Sequence, residues 1–302
     1  MSDRLNVLKT YKLYVGGAFP RSESGRVYEV TTGTSAAAAA GKGGWLANAP
    51  LSSRKDARDA VVAARKAFGR WSGATAYNRG QVLYRVAEML EGRRSQFVRE
   101  VADAEGLSKP KAAAVVDAAV DRWVWYAGWT DKIAQIAGGA NPVAGPFFNL
   151  STPEPTGVVT VLAPQDSSFL GLVSVIAPVI ATGNTAVVVA SERRPLPALS
   201  LGEVLATSDV PGGVVNILSG RTAEIAAPLA AHQDVNGIDL TGADEALAKE
   251  LEIAAADNLK RVRRPRAEDW TADPGTHRLT AFLETKTVWH PTGSLGASGS
   301  AY

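Results

Sequence analysis

Pro-Thr-Gly-Val-Val-Thr-Val-Leu-Ala-Pro at 155–164 is followed by Ala-Thr-Gly-Asn-Thr-Ala-Val-Val-Val-Ala-Ser-Glu at 181–192. Pro-Gly-Gly-Val-Val-Asn-Ile-Leu-Ser-Gly comes next at 211–220, then His-Gln-Asp-Val at 232–235, Leu-Thr-Gly at 240–242 and Asn-Leu-Lys at 258–260. Short runs of branched apolar residues bounded by Gly, Pro and Asn read as buried strands, here 158–162, 186–189, 214–218 and 238–240. The intervals at roughly 168–182, 196–206, 223–231 and 245–256 have helical patterning. Strand and helix alternate, which predicts an α/β fold: a Rossmann-like parallel sheet with helices on both faces. Gly183 stands where a helix must stop before the next strand.

Upstream of this block, 11–19 and 27–30 read as short strands around turns at Gly16-Gly17 and Gly25. The Ala/Gly-rich stretch 31–44 reads as a surface loop. A helix follows Ser52 and Ser53, with Ala57, Ala60, Val61, Ala64, Ala67 and Phe68 on one face. A second begins near Asn78, and Pro110 opens a third. Downstream, 260–266 is a basic run broken by Pro265 and reads as a solvated connector. Residues 281–290 read as a strand, and 294–302 as a disordered Gly/Ser tail.

Bulk composition excludes several functions. The 302 residues are 46% hydrophobic, enough for a sizeable core. A net charge of +2 is no footprint for nucleic acid. The sequence contains no cysteine, which removes disulfides, thiolate metal sites and thiol nucleophiles together. Residues 1–10 carry no apolar signal core, and the longest apolar run, 169–181, is too short to span a bilayer. The expectation is a cytoplasmic protein with no membrane and no nucleic-acid partner. His232, His277 and His290 show no metal-ligand spacing, so no metal site is expected.

In order and spacing, the block from 155 to 260 resembles the cofactor-binding half of an aldehyde dehydrogenase. The helices at 56–71 and 78–90 are similar to the pair that precedes that domain. The resemblance is nearest to the cysteine-free second unit of the family's tandem members. It implies a cofactor-type Rossmann domain formed by 1–140 and 155–262, and oligomerisation strands at 141–154 and 276–293. It also implies a connector at 263–275 where the catalytic domain is absent. The terminal strand, left unpaired, would be a sticky edge that needs a partner.

The chemistry of the family needs a thiolate nucleophile, a carboxylate base, an oxyanion-binding amide and a nicotinamide cofactor. By the resemblance, the thiolate is missing, and Arg-Val-Arg-Arg-Pro-Arg replaces the Leu-Glu-Leu-Gly-Gly that carries the base. The oxyanion asparagine becomes Asp166, whose charge would oppose an oxyanion. No catalytic residue is therefore expected. The cofactor positions that survive are Pro164, Glu192, Gly220, Thr241 and Gly242. The ribose-binding lysine maps to Val189. Thr222 and Ala226 replace two glycines of the phosphate turn, and Ala243 and Leu247 replace a serine and a glycine of the next element. The competing reading of Glu192 is a solvated carboxylate in the first turn of the helix after strand 186–190. Trp123, Trp125, Tyr126 and Trp129 read as packing residues. Gly296-Ala297-Ser298-Gly299 lacks the strand context of a nucleophile elbow.

The leading expectation is a catalytically inactive pseudoenzyme, structural or regulatory. It would self-associate or join a full-length, cysteine-containing aldehyde dehydrogenase, with no tightly held cofactor. A weak NAD-binding regulator is the alternative, and an NAD-dependent oxidoreductase is what the family alone would suggest.

Overall fold

The alternation read from residue 155 onward folds as a five-stranded parallel sheet. The computed structural model describes residues 7–32 and 44–293. Strands β5 (Val158–Leu162), β6 (Thr185–Val189) and β7 (Val215–Leu218) are joined by helices α6 (Leu170–Ala181) and α7 (Leu196–Ala206). Helix α8 (Thr222–Ala230) then carries the chain to β8 (Gly237–Asp239), and α9 (Glu245–Ala256) to β9 (Arg261–Arg263). The sheet order is β7-β6-β5-β8-β9, so the chain reverses direction across the sheet between β5 and β8. In open α/β sheets that reversal point is where the carboxyl ends of the strands leave a crevice.

The strands separate two layers of core by strict alternation. Val159, Val161, Val188 and Ile217 join one apolar cluster, with Leu172 and Ile176 of α6 and Leu201 of α7. Val158, Leu162, Val187 and Val189 join the other, with Ile225 of α8 and Leu251 of α9. All twelve residues of α6 are buried, because it lies between the sheet and a second layer of helices. That layer comprises α2 (Ala76–Glu91), α3 (Arg94–Glu105) and α4 (Lys109–Trp129). On the opposite face α1 (Arg54–Ser72) packs on β6 and β7. Ser53 caps α1 in a reciprocal capping box with Asp56.

A second sheet is antiparallel, in the order β10-β4-β3. Its strands are β3 (Gly139–Asn141), β4 (Phe147–Pro155) and β10 (Leu283–Pro291). Helix α5 (Ile133–Ala137) precedes it, and α10 (His277–Thr280) delivers the chain to β10. A small hairpin pairs β1 (Val27–Thr31) with β2 (Trp45–Pro50). No helix among the described residues is long and apolar enough to cross a membrane.

Several expectations change. The basic run 260–266 is not a solvated connector: β9 is a fifth strand, and Lys260 is only 8% exposed. It is drawn in because Arg263 pairs with Glu268 and approaches Asp239. The terminal strand is not unpaired, since β10 pairs with β4 along nine residues. Only its outer edge lacks a partner among the described residues. The segment 11–19 makes isolated bridges rather than a strand: Tyr14 lies along the edge of β7 at Ile217, and Val15 pairs with Ala18. Helix α3 carries no side-chain cap and buries only Phe97, Val101 and Ala104, too sparse a stripe to stand out in sequence. Strand β2 begins immediately after the Ala/Gly stretch, which hid it. The expected tail at 294–302 and most of the expected 31–44 loop lie outside the described residues.

Two glycines give a paired test of the packing. A Cβ on Gly242 would run into the carbonyl oxygen of Ala163, whereas one on Gly69, within α1, meets nothing. Gly242→Ala should lower unfolding free energy by about 1–3 kcal/mol through overpacking. Gly69→Ala should raise it by about 0.5–1 kcal/mol. Urea denaturation of both variants checks the pair.

Candidate functional site

Beyond the carboxyl ends of β5, β6 and β8 the loops leave a cleft of about 340 Å³. Gln165, Asp166, Glu192, Thr222, Asp244 and Leu247 are among the residues that line it. Two helices, α8 and α9, point their N-termini toward it. Such helix starts present free N–H groups and a positive dipole end, and would ordinarily attract an anion. Here each start is already capped by a carboxylate of this chain. Glu192 Oε2 accepts the Thr222 backbone N–H at 2.9 Å on α8, and Asp244 Oδ1 accepts the Leu247 N–H at 2.8 Å on α9.

Glu192 thus caps α8; it does not sit in the first turn of the helix after its own strand, which begins at Leu196. Gln165 orients it, because Gln165 Oε1 accepts the Glu192 N–H at 3.0 Å. Tyr28 of β1 lies beside it. Burial, and then the Glu192 charge, push the Tyr28 phenol well above its ordinary range. Asp166 is exposed at the rim, and its backbone carbonyl accepts from Arg194 at 2.7 Å. Val189 points into the core between the sheet, α1 and α8.

The remaining positions serve the fold. Pro164 is buried against Gly171 of α6. Gly220 has a φ of +143°, and a Cβ there would approach Ser52 N at 3.1 Å and Ile225 Cδ1 at 3.0 Å. Its backbone conformation and the close approach of the loop before α1 both require glycine. Gly242 N–H donates to the Leu162 carbonyl at 2.9 Å and ties the end of β8 to that of β5. Of the five positions, Glu192 and Gly242 line the cleft; Pro164, Gly220 and Thr241 do not.

Thr241 belongs instead to a buried ionic cluster that sequence reading missed. Arg278 of α10 is 4% exposed. It donates through Nη1 to Asp239 Oδ2 at 2.8 Å and through Nη2 to Thr241 Oγ1 at 3.1 Å. It also grips Glu268 with Nε and Nη2 at 3.0 and 2.7 Å, and Arg263 Nη2 reaches Glu268 at 2.6 Å. Arg122 of α4 donates to Ser174 Oγ and to the Trp270 and Ala272 carbonyls at 2.7–3.0 Å. The Arg278 guanidinium lies 5.2 Å from the centre of the Trp270 ring. Burial pushes Arg122 down and the neighbouring Tyr126 phenol up to about 12. One signal was available: Arg122 shares the helical stripe of Ala119, Trp123 and Tyr126, where a charge must find a partner. Arg278 and Glu268 lie in a polar stretch with no such pattern.

This cluster fastens the segment 264–276 across the carboxyl ends of β8 and β9. Among the described residues no group of three His, Asp or Glu side chains stands close enough to hold a metal ion.

The match with known proteins fits this architecture. The family model described as "Aldehyde dehydrogenase family" matches residues 31–264. Cytosolic 10-formyltetrahydrofolate dehydrogenase of Pongo abelii is 31% identical over 259 residues, covering 83% of this chain and 28% of that protein. The putative aldehyde dehydrogenase DhaS of Bacillus subtilis (strain 168) is 32% identical over 256 residues, covering 84% of this chain and 50% of that protein. An NAD+ complex of an aldehyde dehydrogenase from Bacillus cereus superposes with a TM-score of 0.76 at 27% identity, covering 84% of this chain and 50% of that one. The chain belongs to the aldehyde dehydrogenase family. It spans half or less of the length of these relatives.

The ionic cluster makes a pH prediction. Burial alone would raise the Glu268 carboxyl, but the Arg278 and Arg263 guanidiniums outweigh it and hold it below its ordinary 4.5. A depressed carboxylate contributes stability above its unfolded value and loses it as pH falls through the folded one. Glu268→Gln should therefore cost about 1–2 kcal/mol at pH 7, low for a broken buried pair because one side opens to solvent. The gap from the parent protein should close as pH drops below 4.5. Chemical denaturation across that range checks it.

Proposed function

We propose that this chain is a catalytically silent member of its family, a structural or regulatory subunit that works by association. The observation that carries the reading is the absence of cysteine from all 302 residues while the antiparallel β4–β10 arm is kept intact. Without a thiolate there is no nucleophile to form the covalent adduct on which hydride transfer depends. Between β9 and α10 only 264–276 intervene, where the resemblance places a whole catalytic domain. Asp166, at the position of the oxyanion donor, adds charge of the wrong sign.

The arm supplies the association surface. Phe148 is 47% exposed on one face of the arm and Trp289 56% exposed on the other, and the outer edge of β10 lacks a partner among the described residues. Its partner is a second copy of this chain or a full-length, cysteine-bearing aldehyde dehydrogenase. Removing 281–302 is a poor test, because Phe282 and Leu283 are core residues at 3% and 8% exposure. Phe148→Lys with Trp289→Lys leaves that core alone. Sedimentation should show the variant dissociated and still folded; an unchanged assembly would remove the arm from the account. Purified chain should also form no NADH from aldehydes, and steady turnover would refute catalytic silence.

Nicotinamide dinucleotide is the cofactor that the family implies, and the helix starts here are a poor fit for its pyrophosphate. Asp244 places negative charge at the start of α9, and Ala243 and Leu247 stand where the resemblance expects the serine and glycine of the pyrophosphate element, although Arg193 and Arg194 line the same cleft. A weak NAD-binding regulator is the second reading, favoured by Glu192, which keeps one carboxylate oxygen without a hydrogen-bond partner among the described residues. Calorimetric titration with NAD decides between them. The leading reading expects no saturation at about millimolar cofactor, a binding free energy near 4 kcal/mol. Saturable binding lost in Glu192→Ala would establish the second.

A further inference from the structure

A groove outside β9 gathers three arginines, two of them paired with carboxylates and the third, Arg266, without one among the described residues. It encloses about 630 Å³, and Arg263, Arg264, Arg266, Glu268 and His277 are its charged or titratable lining residues. Glu268 is the single carboxylate among them, and both its oxygens are turned inward to Arg278 and Arg263. Arg264 gives Nε and Nη2 to Glu252 at 2.8 Å, which leaves its Nη1 without a partner. Arg266 is exposed and makes no hydrogen bond or ion pair with any described residue. The His277 imidazole lines the same groove and likewise has no hydrogen-bond partner among the described residues.

The groove is also held in shape. Arg263 is fixed in the sheet by β8, and Pro265 restricts the backbone between Arg264 and Arg266. Glu268 and Arg278 pin the far wall. The walls are preformed, while the solvent-facing Arg264 and Arg266 side chains order on binding. The field is felt by His277: burial first, then Arg263, Arg278 and Arg266, hold its imidazole below the ordinary value against the opposing pull of Glu268. These four are the charged groups that face it, from β9, the 264–276 segment and α10.

We propose that this groove binds a compact, multiply charged oxyanion of the phosphate-monoester type, through Arg264 Nη1, Arg266 and His277. The Arg266 fork matches such oxygens in geometry and charge, and Arg264 adds a single further donor. A nucleic-acid backbone is disfavoured, because the net charge of the protein is only +2. The groove shares no lining residue with the cleft at α8 and α9, so this inference stands independently of the catalytic silence proposed above.

The test is a proton NMR titration of the full chain with inorganic phosphate at constant ionic strength. The protein has three histidines, so His232 and His290 serve as internal controls, and His277→Gln assigns the resonance. A saturable shift confined to His277, with a rise in its pKa on binding, is the expected result. Arg264→Gln and Arg266→Gln should each weaken the affinity about tenfold, as for one charge-assisted hydrogen bond lost. Glycerol phosphate should bind at least as well as inorganic phosphate, and malonate less well. No saturable shift at His277 would overturn the proposal. So would equal shifts at all three histidines or indifference to both arginine variants, which would mean an adventitious ion only. Tighter binding of malonate would overturn the assigned class.

Discussion

One buried guanidinium ties the parallel sheet to the segment that follows it. Arg278 is shared by Asp239 at the end of β8 and by Glu268 in the segment that follows β9. A charge in such a place is tolerated only when its donors are satisfied, and here Asp239, Thr241 and Glu268 satisfy it. With Arg278 fixed, the short segment 264–276 lies over the sheet and α10 delivers β10 to β4. Arg122 ties the same segment to the helical layer through the Trp270 and Ala272 carbonyls. The sheet's exposed end and the association arm therefore depend on one polar cluster.

The cleft follows a related logic. A parallel sheet of this topology leaves a crevice at its reversal point, and helix starts there would suit a phosphate. In this protein one N–H of each start is taken internally, by Glu192 on α8 and Asp244 on α9. Capping stabilises the helices and sets carboxylates at both starts, while Arg193 and Arg194 line the same cleft. A second group of arginines lies outside β9, where Arg264 and Arg266 face solvent and the Glu268 carboxylate faces inward.

Much of the fold was legible because it rests on periodicity. Branched apolar runs at 158–162 and 186–189 alternate between two cores, and Ser53 announced the first helix by its capping chemistry. What sequence concealed were features decided by distant partners. Arg261, Val262 and Arg263 look like a solvated run; they form a strand because Asp239 and Glu268 are waiting for Arg263. Glu192 looked like a first-turn residue of the next helix, yet it caps a helix thirty positions later in sequence. Gly220 and Gly242, cofactor positions by the resemblance, stand at turns that the fold needs whether or not a cofactor binds. Their surroundings show packing demands, from Ser52 and Ile225 on one and from Ala163 on the other. A turn glycine needed by the fold and one needed by a ligand look alike in sequence.

The account stands on the claim that association, not chemistry, is the work of this chain. The most direct measurement is native mass spectrometry of the tagged chain after gentle purification from its own host. The account predicts a fixed-ratio complex, either of several copies of this chain or with a cysteine-bearing aldehyde dehydrogenase. A monomer that carries no partner would contradict it.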